Sequence, residues 1–173
     1  MNFSEQNNVV CFSGHRRYAG AADDEVRLEA AVAGAWADGY RVFISGMAPG
    51  FDLAAAEAVV RLKRIHKETR LIAAIPFAAQ ASGYGATDRA RYGALLAAAD
   101  EVKVLAEGYS HGCYYRRDEW MVERSGRLIC WFDASGASEV SGRKAGGTRY
   151  TVRRALKAGL EIVNIFRTSD ELF

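Results

Sequence analysis

Prolines and cysteines are scarce in this chain, and its net charge is close to zero. Two prolines among 173 residues, half of them hydrophobic and a quarter charged, exclude collagen-like, coiled-coil and disordered chains, whose compositions are far more biased. The three cysteines, Cys11, Cys113 and Cys130, are odd in number and far apart. Two of them lie in apolar strand-like runs, which fits buried free thiols in a reducing compartment better than a disulfide framework. The 23 Lys and Arg against 21 Asp and Glu leave a formal charge of +2, so no global basic field points to duplex nucleic acid. No apolar stretch reaches the roughly 18 residues that a membrane span needs. The segment from Met1 to Asn8 lacks the basic-then-apolar pattern of a signal peptide. The expectation is a cytoplasmic protein with no membrane partner, and a length of 173 residues suits one domain over 1–173.

Alanine and glycine are abundant instead. Alanine takes roughly one position in six against a usual share nearer one in twelve, which suggests tightly packed helices. Short β-branched or aromatic runs at 9–13, 41–45, 70–75, 101–105, 128–132 and 161–165 alternate with helix patterns at about 23–38, 52–67, 87–99, 114–125 and 147–158. Most of these runs are continuously apolar, as in strands covered on both faces. Strict alternation with short connections predicts right-handed crossovers and a doubly wound α/β fold, with a mainly parallel sheet of about six strands. There is no internal repeat.

The 17 glycines fall into two informative kinds. Asp38-Gly39, Ser125-Gly126 and Ala158-Gly159 each close a helix pattern, where glycine takes the left-handed conformation without a Cβ penalty. The others follow strands: Ser13-Gly14-His15-Arg16-Arg17, then Ser45-Gly46-Met47-Ala48-Pro49-Gly50-Phe51-Asp52, then Gly146-Gly147-Thr148. All three segments belong at the carboxyl edge of the sheet, and two feed directly into helices. Unpaired N–H groups and a partial positive charge at such helix starts suit an anion, and glycine lets a phosphate approach the backbone. Arg16 adds a guanidinium that can grip a phosphate through two parallel bonds.

The joint expectation is a site for a phosphate-bearing ligand, foremost a nucleotide, with Gly14, Arg16, Ser45, Gly46, Gly50, Gly146, Gly147 and Thr148 as the cradle. His15 stands in the same loop. Asp52 reads most simply as the N-cap of its helix, and alternatively as the acceptor for a ribose hydroxyl. Neither a Gly-Lys-Ser/Thr ending nor a GxGxxG pattern is present.

The segment from Gly112 to Met121 places aromatics beside arginines, which suits base stacking and phosphate contact. It equally suits a helix packing Trp120, Met121 and Val122 on the sheet. Arg117 and Asp118 there are candidates for a flanking clamp. Two stretches, 78–87 and 134–147, read as long loops, the second small, polar and mobile. His111 and Cys113 are too few for a metal site, and no base partner marks Cys113 as a nucleophile. No cofactor and no catalytic residue is named by these patterns, and homo-oligomerisation is left open.

Taken in order, Ser13 to Arg16, Ile44 to Leu53, Ile75-Pro76-Phe77 with Gln80, Arg91-Tyr92, Tyr114 to Val122, and Gly146 to Thr148 with Tyr150-Thr151-Val152 resemble the YpsA-like family of the SLOG superfamily. The resemblance implies a Rossmann-like three-layer fold. It also implies binding of a nucleotide or nucleotide derivative such as NAD or ADP-ribose, as sensor or carrier.

Two relatives of that superfamily supply alternatives. The LOG-type phosphoribohydrolases, which cleave nucleoside monophosphates to base and ribose phosphate, carry Gly-Gly-x-Gly-Thr-x-x-Glu. Here Thr151 stands where that glutamate would be, so an N-glycosidase would need Asp52 or Asp118 as its acid or base. The DprA proteins, which act on single-stranded DNA, carry motifs similar to Gly14 to Arg16 and Ser45 to Asp52. Given the near-neutral charge, nucleic acid is the less favoured partner and a nucleotide-like small molecule the favoured one.

Overall fold

The computed structural model describes residues 8–135 and 146–168. Strands and helices alternate as β1 (Val9–Gly14), α1 (Ala22–Ala37), β2 (Val42–Ser45), α2 (Phe51–Ile65), β3 (Arg70–Ile75), α3 (Ala86–Ala98), β4 (Glu101–Val104), α4 (Cys113–Val122), β5 (Arg127–Trp131), α5 (Gly147–Ala158) and β6 (Glu161–Asn164). The strands form one six-stranded sheet in the order β4-β3-β2-β1-β5-β6. Every pairing is parallel, as strands joined through helices require. The chain steps outward from β1 to β4, then α4 carries it back across the sheet to β5, beside β1. Helices α1, α2 and α3 pack in series on one face, and α4 packs on α5 on the other. The result is an α/β three-layer sandwich of Rossmann-like type.

Alternation along β1 feeds both cores, since successive side chains point to opposite faces. Val10 and Phe12 join Phe43, Phe51, Leu28 and Leu71 on the α1–α3 side, whereas Val9 and Cys11 join Ile44, Met121, Leu128 and Val152 on the other. The alanines have a specific use in α2, where Ala54, Ala55, Ala56 and Ala58 are all buried. That central helix touches strands and both neighbouring helices, and small side chains let it approach them closely. Cys11, Cys113 and Cys130 are buried and unpaired. Among the described residues no helix is long and apolar enough to cross a membrane.

The structure departs from the sequence reading at several places. Gly39 and Gly159 do adopt positive φ, at 102° and 79°, but Gly126 does not. Helix α4 already ends at Val122, and Gly126 is drawn into the sheet by donating its N–H to the Val9 carbonyl. The 78–87 stretch is not one loop, because a short 3-10 turn forms at Gln80–Gly83 and α3 starts at Ala86. Strand β4 is exposed at all four positions, so it is not covered on both faces as its neighbours are. Most of the 134–147 stretch lies outside the described residues.

The strand order reverses between β1 and β5. Loops leaving two such adjacent strands run to opposite faces, and an open crevice forms beyond their carboxyl ends. Here that place lies beyond Gly14 and Trp131, which are register partners.

Candidate functional site

A cavity of about 440 Å³ opens at this switch point. The end of β1 and the loop after it form one wall with Ser13, Gly14, His15 and Arg16. Gly14 must be glycine, since a Cβ there would lie 2.4 Å from the Phe51 ring that begins α2. The Nε2 of His15 accepts the Asp133 N–H at 3.2 Å, which leaves the ring proton on Nδ1. Burial, reinforced by the charge of Arg17, holds the His15 pKa below its ordinary 6.5. Arg17 turns away from the cavity, pairing with Asp133 at 2.7 Å and lying over the Trp131 ring. Arg16 is exposed and lines the cavity.

The loop after β2 reaches the cavity at Ala48 and otherwise works from behind. Ser45 Oγ donates to the Asp52 carbonyl at 2.8 Å and accepts the Met47 N–H at 3.1 Å. That bracket helps hold Met47 at φ 60°, a conformation unusual for a side chain of this size. The Tyr84 hydroxyl donates to the Met47 carbonyl at 3.1 Å. The Gly46 carbonyl accepts from Gln80 Nε2 at 2.9 Å and from the Arg117 guanidinium. Gly50 is the residue that caps α2, at φ 83°, and a Cβ on it would lie 2.5 Å from the Arg16 carbonyl oxygen.

Asp52 is therefore not the N-cap that its position in the sequence suggests. It sits inside the first turn of α2, 6% exposed, with Oδ1 buried and making no hydrogen bond among the described residues. Burial pushes its pKa up to about 7, against the opposing pull of the Arg117 charge.

Helix α4 supplies the centre of the site. Gly112 precedes it in the left-handed conformation, at φ 77°. Arg117 and Asp118 then enter side by side, 5% and 6% exposed, with Arg117 Nε donating to Asp118 Oδ1 at 2.6 Å. Burial disfavours the guanidinium charge, but Asp118 and Asp52 together outweigh it and keep Arg117 protonated. From α5, the Thr151 hydroxyl lies 2.9 Å from both Asp118 Oδ2 and the Gly147 carbonyl. One hydroxyl proton thus serves two acceptors.

Of the residues picked out from the sequence, Gly14, His15, Arg16, Asp52, Arg117, Asp118, Gly146, Gly147 and Thr148 line one cavity. Ser45, Gly46 and Gly50 do not line it. They frame it from behind, and the space beside Gly46 is filled by Arg117. Sequence reasoning missed Tyr109, which also lines the cavity and is 69% exposed. Its signal was its place in the loop after β4, where this fold class collects ligand contacts. Tyr109 and Tyr114 both set their rings edge-on to Phe77, and Tyr115 leans on Tyr150. Among the described residues no cluster of His, Cys, Asp or Glu could hold a metal ion.

The cavity thus has two chemistries. The starts of α4 and α5 present N–H groups that no helical carbonyl can satisfy, beside the Arg16 guanidinium. Deeper, Asp52 and Asp118 present carboxyl oxygens on either side of Arg117.

Comparison with known proteins agrees with the architecture. Residues 25–163 match the family model described as the YspA SLOG family. UPF0398 protein BH1768 of Halalkalibacterium halodurans is 31% identical over 98 residues, 56% of this chain and 52% of that protein. The match therefore spans only about half the length of that relative. Among solved structures, DNA processing protein A from Helicobacter pylori superposes with a TM-score of 0.61 at 17% identity, over 93% of this chain and 67% of that one. It was solved for its single-stranded DNA binding mode. At that identity the likeness concerns the fold.

Proposed function

The chain belongs to the YspA SLOG family, and from that premise we propose that its crevice binds a nucleotide-derived ligand by phosphate and ribose together. The observation that carries this reading is the pairing of Gly147 and Thr148 with Asp118 around one cavity. The first two stand at a helix start that offers N–H donors and positive potential to a phosphate. Asp118, braced by Arg117 and Thr151, offers acceptors to sugar hydroxyls. Arg16 at the mouth supplies a charge-assisted grip on the phosphate, and Tyr109, Tyr114 and Tyr115 supply ring surface for a base. A volume of about 440 Å³ lies within the range of small-molecule sites, about 300–1,000 Å³. In this reading the protein senses or carries its ligand.

A second reading takes the same crevice as a cradle for single-stranded DNA. It is supported by the shared fold with DNA processing protein A and by the exposure of Tyr109 and Tyr115 at the rim. Calorimetric titration separates the two. The protein would be titrated with AMP, with ADP-ribose, with inorganic phosphate and with an oligothymidylate, each at low and high salt. The nucleotide reading expects saturable binding of a mononucleotide, competition by inorganic phosphate and modest salt dependence. Binding of the oligonucleotide alone, with log affinity falling steeply against log salt, would establish the second reading. Heat from neither would overturn both. Free base released from AMP would instead mark an N-glycosidase that uses Asp52 or Asp118.

A further inference from the structure

Among the described residues, strand β4 closes one side of the sheet and pairs only with β3. All four of its residues, Glu101 to Val104, are exposed. An open edge of this kind is a template for another strand unless something blunts it. The opposite edge is different. Residues of β6 are largely half-buried, Glu161 is paired with Arg127, and Asn164 exchanges hydrogen bonds with the Phe132 backbone.

The sequence of β4, Glu-Val-Lys-Val, has a property that bears on what could pair with it. Glu101 and Lys103 share one face of the sheet and Val102 and Val104 the other, by strand alternation. On the first face Glu101 and Lys103 border an open groove with Val42, Ile44, Ile72 and Trp120, on the side covered elsewhere by α4 and α5. Among the described residues neither Glu101 nor Lys103 makes an ion pair. On the other face Val102 and Val104 are each 45% exposed.

A lone lysine on an edge usually keeps strands apart. An antiparallel second copy related by a twofold axis at Val102 changes that. Glu101 of each copy then lies opposite Lys103 of the other, twice over, and Val102 lies opposite Val102. Opposite charges and β-branched residues directly across from each other are the favourable pairs of an antiparallel ladder, worth roughly 0.2–1 kcal/mol each. Shifting the register by one residue sets Val102 against Lys103 and loses both the charge pairs and the valine contact.

We propose that β4 is the dimerisation edge of this protein, pairing antiparallel with β4 of a second copy to make a continuous twelve-stranded sheet. The two exposed grooves then meet across the twofold and cover one another's open side. The crevices open at the switch point beyond β1 and β5, with Tyr109 from the loop after β4 on their lining, so pairing along the β4 edge leaves their mouths open.

Charge reversal tests this with the whole chain, by sedimentation velocity over a range of protein concentrations. The wild type is expected to sediment as a dimer, and Glu101→Lys alone or Lys103→Glu alone to weaken the dimer about tenfold or more by setting like charges opposite. The double variant E101K/K103E restores complementarity and is expected to dimerise as the wild type does. An equimolar mixture of the two single variants is also complementary and is expected to form the mixed dimer in preference to either homodimer. These positions are exposed, and unchanged circular dichroism would confirm that each variant folds. A wild type that stays monomeric at every concentration would overturn the proposal. So would a dimer that neither reversal weakens, or a double variant no better than the singles.

Discussion

The guanidinium of Arg117 occupies the space beside Gly46 that any other residue would fill: a Cβ on Gly46 would lie 2.4 Å from Arg117 Nη1 and 2.9 Å from Asp52 Oδ2. The two residues are 71 apart in sequence, and this contact brings α4 over the loop after β2. Gly46→Ala is therefore expected to displace the arginine rather than merely crowd it, leaving Asp118 buried with one partner fewer. The expected loss is about 1–3 kcal/mol of stability from overpacking, with loss of ligand affinity. Gly50→Ala meets backbone instead, the Arg16 carbonyl at 2.5 Å, at a φ of 83°. A backbone cannot swing aside as a side chain can, so Gly50→Ala should be the more damaging of the two. Urea unfolding of both variants checks the order, and a Gly46→Ala protein as stable as the wild type would show that Arg117 has room to move.

Asp118 is held at both oxygens, by Arg117 at 2.6 Å and by Thr151 at 2.9 Å. Thr151→Val keeps the shape and removes the hydroxyl proton that bridges Asp118 to α5, so it should cost about 1–3 kcal/mol as a buried acceptor loses its partner. Arg117→Met leaves the buried Asp118 carboxylate without its charge partner and should cost about 3–5 kcal/mol. In the double variant the losses should not add, because both act on the same carboxylate. A double-mutant cycle read by chemical denaturation checks this, and strict additivity would show that the two partners act separately.

Much of this was legible from local pattern. Continuous apolar runs mark most of the strands, and glycines following strands rather than helices mark the carboxyl edge, so Gly14, Arg16, Gly147 and Thr148 group together from the sequence alone. What was not legible depends on distant chain. Gly46 looked like room for a phosphate, because nothing near it in sequence foretells the arm of Arg117. Asp52 looked like a cap, because its burial beneath Arg117 is a property of the α2–α4 approach and Gly50 had already taken the capping place. Gly126 looked like a helix stop, because nothing near it in sequence foretells that its N–H is claimed by the carbonyl of Val9, in the neighbouring strand β1. Strand β4 alternates Glu-Val-Lys-Val where its neighbour β3 is apolar, and its exposure follows from lying at the edge of the sheet.

Two titrating groups in the crevice should pull stability in opposite directions. Burial raises Asp52 from 3.8 to about 7, so the folded protein keeps a proton that the unfolded chain gives up. The stability from that group is complete below 3.8 and is lost as pH rises through about 7, by up to about 1.4 kcal/mol per pH unit. His15 is lowered from 6.5 by burial and then by Arg17, so its contribution is complete above 6.5 and is lost as pH falls through its folded value. Asp52→Asn removes only the first. Between pH 5 and pH 7 the wild type should lose stability relative to Asp52→Asn, and above pH 7 the difference should level off. Unfolding free energies at pH 5, 6, 7 and 8 give the comparison, and parallel profiles would mean that Asp52 does not titrate in this range.

Neighbouring arginines in the first loop should separate binding from stability. Arg17 is tied to Asp133 at 2.7 Å, lies 4.8 Å from the Trp131 ring centre, and does not line the cavity. Arg16 is exposed, lines the cavity, and makes no side-chain hydrogen bond or ion pair among the described residues. Arg16→Ala should leave stability within about 0.5 kcal/mol of the wild type. It should still weaken a phosphate-bearing ligand by about 10–100-fold, the value of a lost charge-assisted hydrogen bond of about 1.5–3 kcal/mol. Arg17→Ala should do the reverse, lowering the unfolding midpoint while affinity changes little. Thermal unfolding and titration with a mononucleotide, run on both variants, decide the matter. Equal loss of affinity in the two would mean that the loop acts through its overall charge, whereas a loss confined to Arg16→Ala places the phosphate at the mouth, against the start of α5.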